Sequence, residues 1–400
     1  RMLAVAALAD VGPTYGNNTP DWTKEHFAPF VRLGSTDMSW RVRHNLSKHF
    51  SAVAQNLGFA GNPKYAADQS MIMSCFVSLL TDVEPEVRAA AVGHFAPMVH
   101  WGGSDLFQSH LQPHLPGLAD DLVMEVRSKC ALAIMDSSQG GTLEDALILQ
   151  CFGPLLESFL QDEFQEVQLQ VLHNLSKMSH LLHDMNGVVG AVLNMARATN
   201  WRVREGVGRL LPHLGQARGA EFFVTVLLEP CWLGLLLDPV ASVRAACVSG
   251  METLVRTAGQ EWMVQHILPQ HIRIYNHAAS SSYLIRITIL QAHAATAIAC
   301  TSSNTSAGAN STATPSPTES SLWNDVVLQL LRGITDNVAN VRMVAAKGLH
   351  QVIVSASKNH AESNAFIQTQ VLSALQQQLS QEQDMDCRDT CQMALDAISK

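Results

Sequence analysis

The sequence predicts an all-α fold built from repeated helix pairs, and three observations predict it. A short signature, an acidic or small polar residue followed within a few positions by Val-Arg, recurs along the 400 residues. Apolar runs with helical spacing, at i, i+3, i+4 and i+7, flank each copy. Alternating apolar and polar residues, the mark of a half-buried strand, are nearly absent.

Taken in order, the signature reads DMSWRVR from Asp37, DVEPEVR from Asp82, DLVMEVR from Asp121 and DEFQEVQ from Asp162. It continues as TNWRVR from Thr199, DPVASVR from Asp238, SSYLIR from Ser281, DNVANVR from Asp336 and DMDCR from Asp384. Its closing positions are 43, 88, 127, 168, 204, 244, 286, 342 and 388, so the spacings are 45, 39, 41, 36, 40, 42, 56 and 46. Each copy is preceded by an apolar helix such as FFVTVLLEPCWLGLLL and followed by another such as ASVRAACVSGMETLVRTAG. The Asp, Asn, Pro and Ser between them read as turn and N-cap chemistry for the second helix. Gly or Pro after that helix ends it. Two helices per unit of about 40 residues is the signature of HEAT repeats, stacked into an α-solenoid as a right-handed superhelix of antiparallel helix pairs.

The expected organisation follows from the spacings. Residues 1–22 read as the second helix of a truncated repeat, and 23–300 as about seven HEAT repeats. Residues 301–320 read as a disordered Ser/Thr-rich insertion, and 321–400 as two C-terminal repeats. The insertion accounts for the 56-residue spacing and leaves after a second helix, hence at the edge opposite the signature turns. Within it, Thr314-Pro315 and Ser316-Pro317 have the form of proline-directed phosphorylation sites. The opening RMLAVAALAD, without an initiator Met, suggests a piece of a longer protein. The recurring Asp and Arg have a structural reading: each Asp accepts from its own helix N-terminus and meets the Arg of the next repeat, forming a ladder.

Composition narrows function. A net charge of −9 opposes nucleic-acid binding, which needs a basic face. No apolar run is expected to reach the roughly 18 residues of a membrane span. Cysteines 75, 130, 151, 231, 247, 300, 387 and 391 contain no CxxC pair and read as buried free thiols of a reducing compartment. That places the protein in the cytoplasm, with the nucleus as a second location.

Catalytic chemistry has no candidate. His110 and His114 are interrupted by Pro113, and His180 and His183 sit at a helix end without a third ligand. GVGRLLPHLG has spaced glycines inside a helical repeat rather than after a strand. The chain is expected to be no enzyme, with no catalytic residue, metal or cofactor. What remains is surface. WRVR occurs twice, at Trp40–Arg43 and Trp201–Arg204, in a chain with seven tryptophans. The Trp either caps the inter-helix core or anchors a protein partner, since Trp and Arg dominate interface hot spots.

At this level the sequence resembles a specific family, the scaffold (A, structural) subunit of protein phosphatase 2A. DMSWRVRHNLSKHF, EPEVRAAAVGHF, NWRVREGVGRLLPHLG, DNVANVRMVAAKGL and SQEQDMDCRDTCQMALDAIS look like its successive repeats, in order. The likeness covers essentially the whole chain outside the Ser/Thr-rich stretch, from the end of the sixth repeat to the fifteenth. It implies a non-catalytic scaffold that holds a Ser/Thr phosphatase catalytic subunit on its C-terminal turns and a regulatory B-type subunit on N-terminal ones. The implied catalytic-subunit contacts are Trp201, Arg202, Ser242, Tyr283, Asn337, Asn340, Met385 and Asp386. The implied regulatory-subunit contacts are Trp40, Arg41 and Glu86. Ala241 and Ser242 stand where the family usually has an aromatic, and Gln168 replaces the usual Arg. The alternative is a transport or assembly adaptor of the importin type, which predicts acidic residues and Trp/Asn ladders on the inner helices. A HEAT-like nucleic-acid enzyme is opposed by the negative charge.

Overall fold

The computed structural model describes residues 20–278, 282–303, 322–356 and 361–399. Among these residues there are helices and turns and no strand. The architecture is the all-α HEAT-repeat solenoid. Contacts divide the chain into two compact units, up to Asn194 and from Met195 onward.

In the first unit the second helices of the repeats are α1 (Trp40–Asn56), α2 (Pro85–Val92), α3 (Met124–Ser137) and α4 (Gln165–Asn174). They pack side by side in chain order, and each is covered by the helix that precedes it: Ala28–Ser35, Ala66–Leu80, Leu115–Ala119 and Asp145–Leu160. The second unit repeats the pattern with α5 (Trp201–Arg218), α6 (Ala241–Ser249), α7 (Tyr283–Ser303), α8 (Ala339–Ala356) and α9 (Met385–Ile398). These too stack in order.

Side chains at helical spacing close the core between the two layers. Phe50 and Phe76 pack with ring centroids 4.9 Å apart, and Phe107 meets Phe152 edge-on at 5.9 Å. In the second unit Phe223 meets Trp232 at 5.7 Å. Each such aromatic contributes roughly 2–3 kcal/mol by leaving water.

Several first helices contain a wide π-helical turn, at Phe107–Leu111, Phe223–Trp232, Met263–Ile267 and Ile367–Val371. Proline, which lacks an N–H and crowds the preceding turn, lies in or just beyond the first three, as Pro113, Pro230 and Pro269. The fourth has no proline nearby, so proline is not the sole cause. The glycines of GVGRLLPHLGQARG have packing roles. A Cβ on Gly215 would lie 2.8 Å from the Phe223 ring, and Gly219 ends α5 at φ +92°.

Two expectations change here. The helix Tyr283–Thr301 is 19 residues long and apolar enough to cross a membrane, contrary to the expectation that no such run exists. It is a core helix: two thirds of it is buried, and α6 and α8 pack on either side. The boundaries of the outer segments also move. A helix Pro20–His26 spans the expected break at 22, and α7 runs through Ser303 into the stretch expected to be inserted from 301. The remainder of the 1–22 helix, the insertion beyond Ser303 and both Thr-Pro and Ser-Pro dipeptides lie outside the described residues. All eight cysteines are free, seven of them buried and Cys151 half-buried.

Candidate functional site

The recurring signature builds one edge of each unit, the row of turns between first and second helices. Its frame is a ladder of ion pairs. Arg43 donates from Nη1 to the carbonyl of Asp37 in its own turn (2.8 Å). It then forks to both carboxylate oxygens of Asp82 in the following turn, at 2.5 and 2.8 Å. Arg88 reaches Asp121 and Arg127 reaches Asp162 in the same way, at 2.6 and 2.9 Å. In the second unit the rungs are Arg204 to Asp238, Arg286 to Asp336 and Arg342 to Glu382. The ladder therefore runs opposite to expectation, since each Asp meets the Arg of the preceding repeat. Each Arg also donates to a carbonyl of its own turn, so one guanidinium ties its turn to the next.

The Asp is not the N-cap either. Asp82 Oδ1 accepts from the backbone N–H of Glu84 (3.0 Å), two residues on, and Asp37, Asp121, Asp162, Asp238 and Asp336 do likewise. This closes a turn just before the helix. Direct side-chain caps on the second helices come from Asn200 and Asp384, which accept from Arg202 N–H and Cys387 N–H.

Departures are local. Gln168 keeps the inward bond to the Asp162 carbonyl (2.7 Å) but lacks the fork for a bidentate one. Arg244 uses Thr288 Oγ1 (2.9 Å) instead of a carboxylate. In the last turn the ladder acid is Glu382, two residues before the Asp384 that the signature marks. Burial, the largest single influence, raises the pKa of Asp82, Asp162 and Asp238, yet the bonds from Arg43, Arg127 and Arg204, the backbone N–H bond in each turn and the Arg charges together outweigh it and leave each below the usual carboxylate range. For Glu382 the Arg342 fork is the largest influence and holds the carboxyl at about 2.

The ladder sets where the expected contact residues stand. Trp201 and Arg202 open α5; Trp201 is half-buried, and the exposed Arg202 guanidinium lies 4.7 Å over its ring. Trp40 and Arg41 open α1 identically, at 4.9 Å. Each Trp is thus half-buried in the fold with a guanidinium over its ring. Glu86 is exposed in the first turn of α2. Ser242 is exposed near the start of α6, and Tyr283 opens α7 at 41% exposure. Asn337 and Asn340 are exposed at the start of α8, as are Met385 and Asp386 at the start of α9. Within each unit these residues share the turn edge.

Sequence reasoning missed three residues on this edge. Met38, Val83 and Leu122 each directly follow the Asp that closes its turn and are 98, 85 and 96% exposed. Their signal was in the strings DM, DV and DL at equivalent positions. It also missed a buried pair, His271 and His293, with rings 5.5 Å apart. Burial lowers His271 to about 4; burial, then the charge of His271, takes His293 well below its usual value. His271 Nε2 and both His293 ring nitrogens have no hydrogen-bond partner. Among the described residues no three metal-ligating side chains converge. His110 bonds Ser70 (2.9 Å), and His180 and His183 lie 3.9 and 2.9 Å from Asp145 and Asp184.

Away from the turns, a cleft of about 610 Å³ crosses the second helices of the second unit. It is lined by Ala245, Val248, Ala294, Ile298 and Gly348, with Glu252 and Lys347 as its charged members. It offers no acidic or Trp/Asn ladder.

No protein-family model matches the sequence, and no curated protein matches it. Solved structures do match the fold. Importin β in an ammonium sulfate condition aligns with a TM-score of 0.63 at 12% identity, over 99% of this chain and 50% of that one. A Kap95:Nup1 complex gives 0.62 at 15% identity, over 99% and 50%. Yeast importin β (Kap95p) gives 0.60 at 16%, over 99% and 49%. The chain thus spans about half the length of these structures.

Proposed function

We propose that the chain is a non-catalytic scaffold that assembles a Ser/Thr phosphatase of the 2A type. The turn edge of the second unit holds the catalytic subunit through Trp201, Arg202, Ser242, Tyr283, Asn337, Asn340, Met385 and Asp386. The turn edge of the first unit holds a regulatory subunit, with Trp40, Arg41 and Glu86. The observation that carries this reading is the Trp201–Arg202 stack, a large amphipathic side chain with a guanidinium above it, fixed at an exposed helix start by the Arg204 rung below. Trp and Arg are among the residue types most enriched in interface hot spots. The sequence resemblance to the phosphatase scaffold supports the choice of partner. W201A/R202A should abolish capture of purified phosphatase 2A catalytic subunit and leave the helical circular dichroism unchanged; full retention of binding would refute the assignment.

A second reading is favoured by a specific observation. The matching solved structures include importin β and a Kap95:Nup1 complex, so on fold likeness a transport adaptor is the better supported of the two. Against it stands the cleft across the second helices of the second unit, where Glu252 is the one acidic lining residue and no Trp or Asn lines it.

A further inference from the structure

We propose that the turn edge of the first unit docks a partner segment that is both aliphatic and basic. The inference rests on the reading that this edge binds protein, and it names the chemistry of the partner there. Met38, Val83 and Leu122 occupy the same position in three successive turns, and their exposure is imposed by the frame. The preceding Asp accepts the N–H of the residue that follows, at 2.8, 3.0 and 2.9 Å, so the intervening side chain is turned outward. Neighbouring helices pack about 8–10 Å apart, so the three side chains form a row of that pitch. Nothing in the fold requires an aliphatic residue here. The equivalent places elsewhere hold Glu163, Thr199, Pro239, Asn337 and Gln383.

Carboxylates run beside that row. Glu84 is half-buried, and Glu86, Glu125, Glu163 and Glu166 are exposed around the starts of α2, α3 and α4. Acidic side chains favour helix N-termini through the helix dipole, which accounts for some of them. The dipole alone does not select the pattern, because the same first-turn position holds Arg202 in α5 and Ser242 in α6. Exposed Glu125 pairs with Lys129 at 2.9 Å, and exposed Glu163 lies 3.9 Å from the buried Arg127. Arg41 is the basic member at that position in α1. An aliphatic row flanked by this excess of negative charge complements Leu, Ile or Val side chains separated by Lys or Arg. Apolar burial supplies the affinity and the carboxylates supply orientation and encounter rate.

The test uses the full chain and three labelled synthetic peptides of equal length, built from Leu and Lys, from Leu and Glu, and from Ser and Lys. The Leu/Lys peptide should bind at least about tenfold tighter than the other two. M38S/V83S/L122S and E86Q/E125Q/E166Q should each weaken it by at least about tenfold, with unchanged melting temperature. Equal binding by either triple variant, or equal affinity for the Ser/Lys peptide, would overturn the proposal. W201A/R202A separates the two readings, because it should leave peptide binding intact. If that variant loses the catalytic subunit while the peptide effect is absent, only the docking proposal falls. If it keeps the catalytic subunit while the peptide effect holds, only the phosphatase assignment falls.

Discussion

Arg202 and Arg204 sit two residues apart and do opposite work. Arg204 is 14% exposed and its partner Asp238 6%, and it bonds its own turn as well as the next. Arg202 faces solvent over Trp201. Removing Arg204 strands a buried carboxylate, so Arg204→Ala should cost about 2–4 kcal/mol. Arg202→Ala should stay within roughly 0.5 kcal/mol. Urea unfolding of the two variants checks this, and equal losses would contradict the division of roles. The same scale contains an acid response. His271 has a folded pKa of about 4 against an ordinary 6.5, so the unfolded chain binds more protons between those values. Its contribution is whole above pH 6.5 and is lost as pH falls toward 4, on the order of 3 kcal/mol. Glu382, at about 2 against 4.5, adds a second loss below pH 4.5. In H271L/H293L the stability loss between pH 6.5 and 4 should shrink; an unchanged slope would contradict the buried neutral pair.

At the scale of elements, the helix pairs and their period were legible because burying one face of each helix forces apolar spacing into the sequence. The ladder was legible as a recurrence of Asp and Val-Arg, but its direction was not. Arg204 bonds the Ala198 carbonyl of its own turn and Asp238 of the next, and an Asp and an Arg in every repeat leave both directions open in the sequence. Glu382 was hidden because Asp384 two residues later fits the signature better. The aliphatic edge of Met38, Val83 and Leu122 was hidden for another reason. In a sequence, an apolar residue beside a helix start reads as core. Helix α7 leads from the turn edge to the start of the Ser/Thr-rich stretch. Tyr283 opens α7 on the turn edge, and Ser303 closes it about 30 Å away at 1.5 Å per residue. Deleting Ser302 to Glu319 should therefore leave catalytic-subunit capture within about twofold of the full chain. A loss comparable to that of W201A/R202A would place the stretch at the binding edge.

At the scale of the whole molecule, each unit carries its own turn edge, and the two edges differ in chemistry. Both carry a Trp–Arg stack, but beside Trp40 and Arg41 the first displays aliphatic and acidic side chains, whereas beside Trp201 and Arg202 the second displays Tyr283, Met385 and small polar residues. Two edges of different character are what the proposed scaffold, with one partner on each, calls for. The most direct measurement is affinity purification of the full chain, wild type and W201A/R202A in parallel, with the bound proteins identified by mass spectrometry. The account predicts a Ser/Thr phosphatase catalytic subunit with the wild type and its loss from the variant. Recovery of transport factors in its place, equally from both, would contradict the phosphatase scaffold and establish the adaptor reading.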